Sequence, residues 1–139
     1  MSGSLAVIPC GARKRAGTHA ARDLYTGPYF RAALAWAEAG GFDRVLILSA
    51  KHGLVALDDQ IEAYNMTFGD EGAVTSDAVR QQAYLRLVKH CRPVECVGGA
   101  AYRSVVRQVW PWATSPVEGC TSMGAHLRVL TNLAKGEAA

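Results

Sequence analysis

Two short apolar runs mark the chain, Leu5-Ala6-Val7-Ile8 and Val45-Leu46-Ile47-Leu48. Each is unbroken rather than alternating and too short for a typical helix, which predicts strands buried on both faces of a sheet. Pro9 closes the first run, in keeping with a residue that brings no N–H to a ladder. Residues 94–97 predict a third strand, and a short fourth is expected near residues 113–117. Residues 21–39 are rich in Ala, Leu and Arg, but a Gly27-Pro28 break places the start of the continuous helix near Pro28 and its stop at Gly40-Gly41. A second helix is capped by Ser76 or Asp77 and runs to about Cys91, with Val79, Tyr84, Leu87 and Val88 inward. Two more are expected over residues 101–109 and 123–133, the last with Leu127, Leu130 and Leu133 inward. Strands and helices alternate without linker or repeat, which predicts one domain over residues 1–139, a three-layer α/β/α fold around a small parallel sheet of about four strands.

Composition agrees with this picture. The 139 residues are 50% hydrophobic and 19% charged, the balance of an ordinary globular domain. No apolar run reaches the length of a membrane span and the N-terminus lacks a signal-peptide pattern, so a cytoplasmic protein without a membrane partner is expected. Cys10, Cys91, Cys96 and Cys120 form no CxxC pair, and no metal-ligand cluster or dinucleotide fingerprint is present, so neither metal nor cofactor is expected. Cys91 and Cys96 read as packing residues. The net charge of +3 is unevenly spread. Arg13, Lys14, Arg15, Arg22 and Arg31 follow one another with only Asp23 between them, whereas Asp58, Asp59, Glu62, Asp70, Glu71 and Asp77 occupy a stretch without Lys or Arg. This describes either an anion-binding edge beside an acidic one or a surface whose charges neutralise one another.

The candidate chemistry follows the two strongest strands. After Leu48 come Ser49, Lys51 and His52, then Gly53 to turn the chain, at the carboxyl end of a strand where open parallel sheets bind ligands. The loop continues through Asp58, Asp59, Glu62 and Tyr64. After Pro9 come Cys10, Gly11, Ala12, Arg13 and Lys14, small residues and cations suited to a phosphate, although the GxxxxGK[ST] pattern is absent. Tyr25 lies on the continuation of that loop. Gly98-Gly99 permits close approach of a helix N-terminus to a ligand or simply makes a compact turn. His19, His90 and His126 read as surface or packing residues.

These residues resemble a known group. Ser49-Ala50-Lys51-His52-Gly53-Leu54 is similar to the SAKHGL pattern of small uncharacterised proteins of phages and actinobacteria. Cys10 to Lys14 and Leu24 to Phe30 stand where that group has Cys-Ser-x-x-Lys and Leu-Tyr-x-x-x-x-Phe, with Gly11 in place of the Ser. The layout is also similar to peroxide-stress DNA-binding proteins of YaaA type. More distantly it resembles archaeosine synthase relatives of tRNA-guanine transglycosylase and, through them, the uracil-DNA glycosylase fold. The resemblance implies a uracil-DNA-glycosylase-like architecture.

The leading expectation is an N-glycosidase or base-exchange enzyme acting on a modified or unusual base in nucleic acid. Such a reaction asks for a carboxylate to orient water and a donor for the departing base. Asp58, Asp59 or Glu62 is the candidate carboxylate and His52 or Lys51 the donor, with Lys51 alternatively a nucleophile if desolvated. Cys10, Arg13, Lys14, Tyr25, Ser49 and Tyr64 are the expected substrate-binding residues, the cations for phosphate and the tyrosines for stacking. Two other readings are a nucleic-acid-binding protein without chemistry and an N-glycosidase acting on a free nucleotide.

Overall fold

A computed structural model describes residues 3–136. At its centre lies β1 (Leu5–Pro9), flanked in parallel by β3 (Arg44–Ser49) on one side and β6 (Val94–Cys96) on the other. Side chains of β1 alternate between two apolar cores, Leu5 and Val7 on one face, Ala6 and Ile8 on the other. Burial on both faces explains why the run is apolar without a break. Each large aliphatic residue buried this way stabilises the fold by about 1.5–3 kcal/mol.

The sheet order is β4-β3-β1-β6, and β4 (Gly53–Ala56) pairs antiparallel with β3. The sheet is therefore mostly parallel, and its fourth strand is not the one expected. Residues 113–117 form no strand and pair with β6 at the isolated Glu95–Thr114 bridge, through Thr114 N–H to the Val94 carbonyl (3.0 Å) and Cys96 N–H to the Thr114 carbonyl (2.9 Å). Pro116 has no N–H with which to extend that ladder. Residues 53–62, expected as loop, supply β4 and also β5 (Gln60–Glu62), which forms an antiparallel ribbon with β2 (Thr18–Ala20).

Helices cover both faces. One face carries α1 (Ala21–Leu24), α2 (Pro28–Ala39) and α5 (Met123–Ala134), through Leu24, Phe30, Trp36 and Leu130. The other carries α3 (Ser76–Leu85) and α4 (Ala100–Val109), through Val79, Ala83, Val106 and Val109, with Cys91 and Cys96 in the same core. Pro28 opens α2 as expected, and the Gly40 N–H closes it on the Trp36 carbonyl at 3.0 Å. Thr75, one residue before the expected cap, accepts the Ala78 N–H at the start of α3. That helix ends at Leu85 instead of continuing to Cys91, because Leu87 adopts φ +62 and turns the chain. Tyr84 and Leu87, expected inward, are consequently exposed, while Val79 and Val88 are buried. Among the described residues no helix is long and apolar enough to cross a membrane.

Candidate functional site

The chain leaves β1 toward β3 on one side and later crosses to β6 on the other, so the crevice between the carboxyl ends of β1 and β6 is a topological switch point. A cleft of about 370 Å³ opens there. Its walls are residues 9–13 at the end of β1 and just beyond it, residues 27–30 at the start of α2, Gly98, Gly99 and Tyr102 at the start of α4, together with Thr67 and Met123. Two helix N-termini thus face one cavity, with Arg13 beside them.

Gly98 shapes this cleft. It holds φ +115, and a Cβ there would lie 3.1 Å from Pro9 Cβ and 3.2 Å from Tyr102 Cβ. Its N–H donates to the Tyr29 hydroxyl (3.0 Å), and its carbonyl accepts from Arg103 Nε (3.1 Å). Tyr29 in turn lies 2.6 Å from His126 Nδ1, which accepts the phenolic proton when the imidazole is neutral with its proton on Nε2. Burial, then the nearby Arg103 charge, keeps the His126 pKa below its ordinary value and favours that neutral form. Burial pushes the Tyr29 hydroxyl up to about 12. Arg103 also pairs with Glu118 at 2.8 Å, and Arg107 shares the same carboxylate.

Cys10 joins the cleft to a second group of polar side chains. Its buried thiol lines the cavity and lies 3.1 Å from the Tyr102 hydroxyl. Behind it, Ser49, Tyr64 and Tyr25 form a chain of hydroxyls, with Ser49 Oγ 2.7 Å from the Tyr64 oxygen and that oxygen 2.6 Å from Tyr25. Ser49 Oγ also accepts the backbone N–H groups of Lys51 (3.2 Å) and His52 (3.1 Å), so a fully buried hydroxyl holds the turn that follows β3. Lys14 reaches this group because its strand-like bridge to Tyr25 draws the two loops together. Its Nζ sits 4.3 Å from the Tyr64 ring centre and 5.8 Å from that of Tyr25. Desolvation lowers the Lys14 pKa, opposed by the neighbouring Cys10. Burial raises the Tyr25 hydroxyl to about 12 and raises those of Tyr64 and Tyr102 as well, so all three remain protonated donors at neutral pH.

Six expected substrate-binding residues, Cys10, Arg13, Lys14, Tyr25, Ser49 and Tyr64, therefore lie on the cleft or in the adjoining cluster. The expected catalytic residues fare differently. Lys51 is exposed, with Nζ 5.8 Å from the Tyr64 ring. The His52 ring stands edge-on to Tyr64 at 5.2 Å but lines a separate depression with Asp59, Gln82 and Arg86. Burial first, and Lys51 second, lower its pKa. Asp59 is held away from the cleft, where its Oδ2 accepts the Ala56 N–H (2.9 Å) and pairs with Arg86 (3.0 Å). Glu62 is exposed on the β2–β5 ribbon, and Asp58 is exposed beside Arg22. No residue lining the cleft is acidic. The alternation of a three-residue strand and the closing of a tight turn, neither visible in the spacing of the acids, decide this.

Tyr29, Tyr102 and His126 belong to the cleft's construction although nothing in their local sequence singles them out. The one available signal was Gly98-Gly99 after a predicted strand, which marks where a backbone approaches closely.

Comparison with known proteins adds the family. A model of the family of unknown function DUF6884 matches residues 5–132, from the first residue of β1 into α5. The chain belongs to that family. It is also 35% identical over 114 residues to the uncharacterized protein YfjM of Bacillus subtilis (strain 168), covering 76% of this chain and 75% of YfjM. No solved structure matches. Every residue lining the cleft lies within the span matched by the family.

Proposed function

We propose that this member of DUF6884 is an N-glycosidase of uracil-DNA-glycosylase-like architecture that acts on a nucleotide. The observation that supports the reading is the cleft at the switch point, lined by Arg13 and two helix starts on one part of its wall and by aromatic residues on another. Arg13 and the N–H groups at the starts of α2 and α4 suit a phosphate. Tyr102 offers aromatic surface for a base, Cys10 borders the cleft beside it, and the donors Tyr64, Tyr25 and Lys14 lie in the adjoining cluster.

The absence of a carboxylate from the cleft lining shapes the chemistry. Heterolysis of the glycosidic bond leaves the electron pair on the base nitrogen and positive charge on the sugar. Donors aimed at the base stabilise the developing anion, and one of them or water supplies the proton that the free base carries away. Water then captures the sugar cation and loses a proton to solvent. Removing one donor that acts only on developing charge costs on the order of 10²–10³ in kcat.

A free nucleotide is favoured over a base within a polymer because the basic run is locally engaged. Arg15 Nε donates to the Asp23 carbonyl (3.0 Å), Arg22 lies between Glu38 (3.3 Å) and Asp58 (3.4 Å), and Arg31 donates to the Thr26 carbonyl (3.3 Å). A strand of nucleic acid needs a continuous cationic track, and Arg13 with Lys14 makes a short one.

The test is mass spectrometry of bases released from a panel of 5′-nucleotides, DNA and tRNA by wild type, Arg13→Ala and Lys14→Met. Base release from nucleotides, with a raised KM in Arg13→Ala and a lowered kcat in Lys14→Met, supports the reading. Release from polymer alone moves the substrate to nucleic acid. Salt-sensitive retention of nucleic acid with no release from any substrate replaces the enzyme with a binding protein.

A further inference from the structure

The carboxyl end of α3 carries an exposed apolar face that the fold does not require. Two backbone bonds close the helix there, Leu87 N–H to the Tyr84 carbonyl (3.1 Å) and Val88 N–H to the Ala83 carbonyl (2.9 Å), with Leu87 in the left-handed conformation at φ +62. Glycine is the usual residue at that position of such a helix end, because a residue with a Cβ is strained in it. Leu87 bears the strain and is 70% exposed, beside Leu85 at 82% and Tyr84 at 52%. A leucine that is both strained and in water lowers the stability of the chain by itself. Three large apolar residues within four positions make a patch rather than a scatter, and such a patch marks an interaction surface.

The charge around this face selects the partner. Residues 78–94 hold Arg80, Arg86, Lys89 and Arg92 and no acid. Arg80 pairs with Asp77 and Arg86 with Asp59, whereas among the described residues Lys89 and Arg92 form no salt bridge. Both lie on the Trp112 ring instead, Lys89 Nζ 5.0 Å and Arg92 Cζ 3.9 Å from its centre, and Lys89 Nζ is also 5.7 Å from the centre of Tyr84. The indole is itself fixed, its Nε1–H donating to the Cys91 carbonyl at 2.9 Å. Two cations are thus held beside the apolar patch with no carboxylate to answer them.

We propose that this face docks an acidic, apolar segment of another protein, whose apolar side chains cover Tyr84, Leu85 and Leu87 and whose carboxylates meet Lys89 and Arg92. Beside Leu85 a depression of about 420 Å³, lined in part by Leu54, Val55 and Ile61, seats one side chain of the segment. A fluid membrane surface makes no use of such a hollow, and nucleic acid meets the cations but offers the leucines little aliphatic surface. A second copy of this chain would bring cations against cations. The face stands before β6, at the amino end of the sheet, and shares no residue with the cleft, so the proposal is independent of the nucleotide reading.

The test selects a phage-displayed library of random linear peptides on wild type. Enriched peptides are then made synthetically and their affinity is read by fluorescence anisotropy on wild type, Leu87→Gly, Leu85→Ser and Lys89→Glu. Peptides that combine acidic residues with Leu, Phe or Trp are expected, with affinity lowered about tenfold or more in each variant. Leu87→Gly separates binding from damage to the fold, since relief of the left-handed strain is expected to hold or raise the thermal midpoint, by up to about 4 °C, while binding is lost. A lowered midpoint in Leu87→Gly would show that the leucine serves the fold and overturn the inference. Enrichment of peptides without acids, or equal affinity for wild type and a folded Leu85→Ser or Lys89→Glu, overturns it too. No enriched peptide, with binding of equimolar phosphatidylglycerol and phosphatidylcholine vesicles or of oligodeoxythymidylate through these residues, replaces the protein partner by a membrane or by nucleic acid; no binding of any probe removes the docking role.

Discussion

Replacing Gly98 by Ala tests whether the cleft rests on close approach of backbone, and Gly99→Ala is its internal control. At Gly98 the added methyl meets Pro9 Cβ and Cγ at 3.1 Å and Tyr102 Cβ at 3.2 Å, on a backbone with φ +115. Holding an L-residue in that region costs about 1–3 kcal/mol. The contacts add an overpacking cost of about 1–3 kcal/mol, because Pro9 is fixed in the central strand and Tyr102 in α4. The sum, about 2–6 kcal/mol, is a large part of the about 5–15 kcal/mol that holds a domain together. At Gly99 a Cβ meets nothing within 4 Å, and φ is −68. There the poorer helix N-cap and the smaller unfolded-state entropy nearly offset, leaving a change within about 1 kcal/mol. Urea unfolding at equal m reads both values. A Gly98→Ala variant destabilised by less than about 1 kcal/mol, or by no more than Gly99→Ala, would refute the argument that the strand end, the turn and Tyr102 are locked together.

The acid side of the stability profile is expected to carry two histidines. The pKa values of His52 and His126 are both lowered by folding from 6.5, so their contribution is complete above about pH 6.5 and is lost as pH falls through the folded values. Urea midpoints measured between pH 7.5 and 5 should fall, and His126→Gln, which keeps an acceptor for Tyr29, should flatten the fall; an unchanged slope assigns it to other groups. Asp59→Asn should lower stability by about 1 kcal/mol, since the Arg86 pair is partly exposed, while leaving nucleotide affinity unchanged; a selective loss of binding would return Asp59 to the site.

Much of the layered architecture was legible from local pattern. Leu5 to Ile8 and Val45 to Leu48 are apolar at every position because both faces of the central strands are covered, and Pro28 and Gly40 bound α2 through φ preferences that need no partner. The position of Cys10, Arg13, Lys14 and Ser49 near the cleft was legible for a related reason, since polar and small residues at or just after the end of a parallel strand stand at its carboxyl end. Other features were decided at a distance. Val79 and Val88 face the core while Tyr84 and Leu87 do not, because the left-handed turn at Leu87 ends α3 early. The edge strand β4 is too short to show a period, and its identity comes from pairing with β3 and from Gln82, whose amide bonds the Leu54 N–H (2.8 Å) and the His52 carbonyl (2.9 Å). The sequence by itself determined the alternation of elements, the central buried strands and the loops that follow them. Only the tertiary structure decided that Asp59 and Glu62 turn away, that Tyr29 meets His126 across 97 positions, and that the cleft opens between β1 and β6. The reason is physical: local propensity and burial are written residue by residue, whereas which side chains share a cavity depends on strand order and crossover, set by packing across the whole sheet.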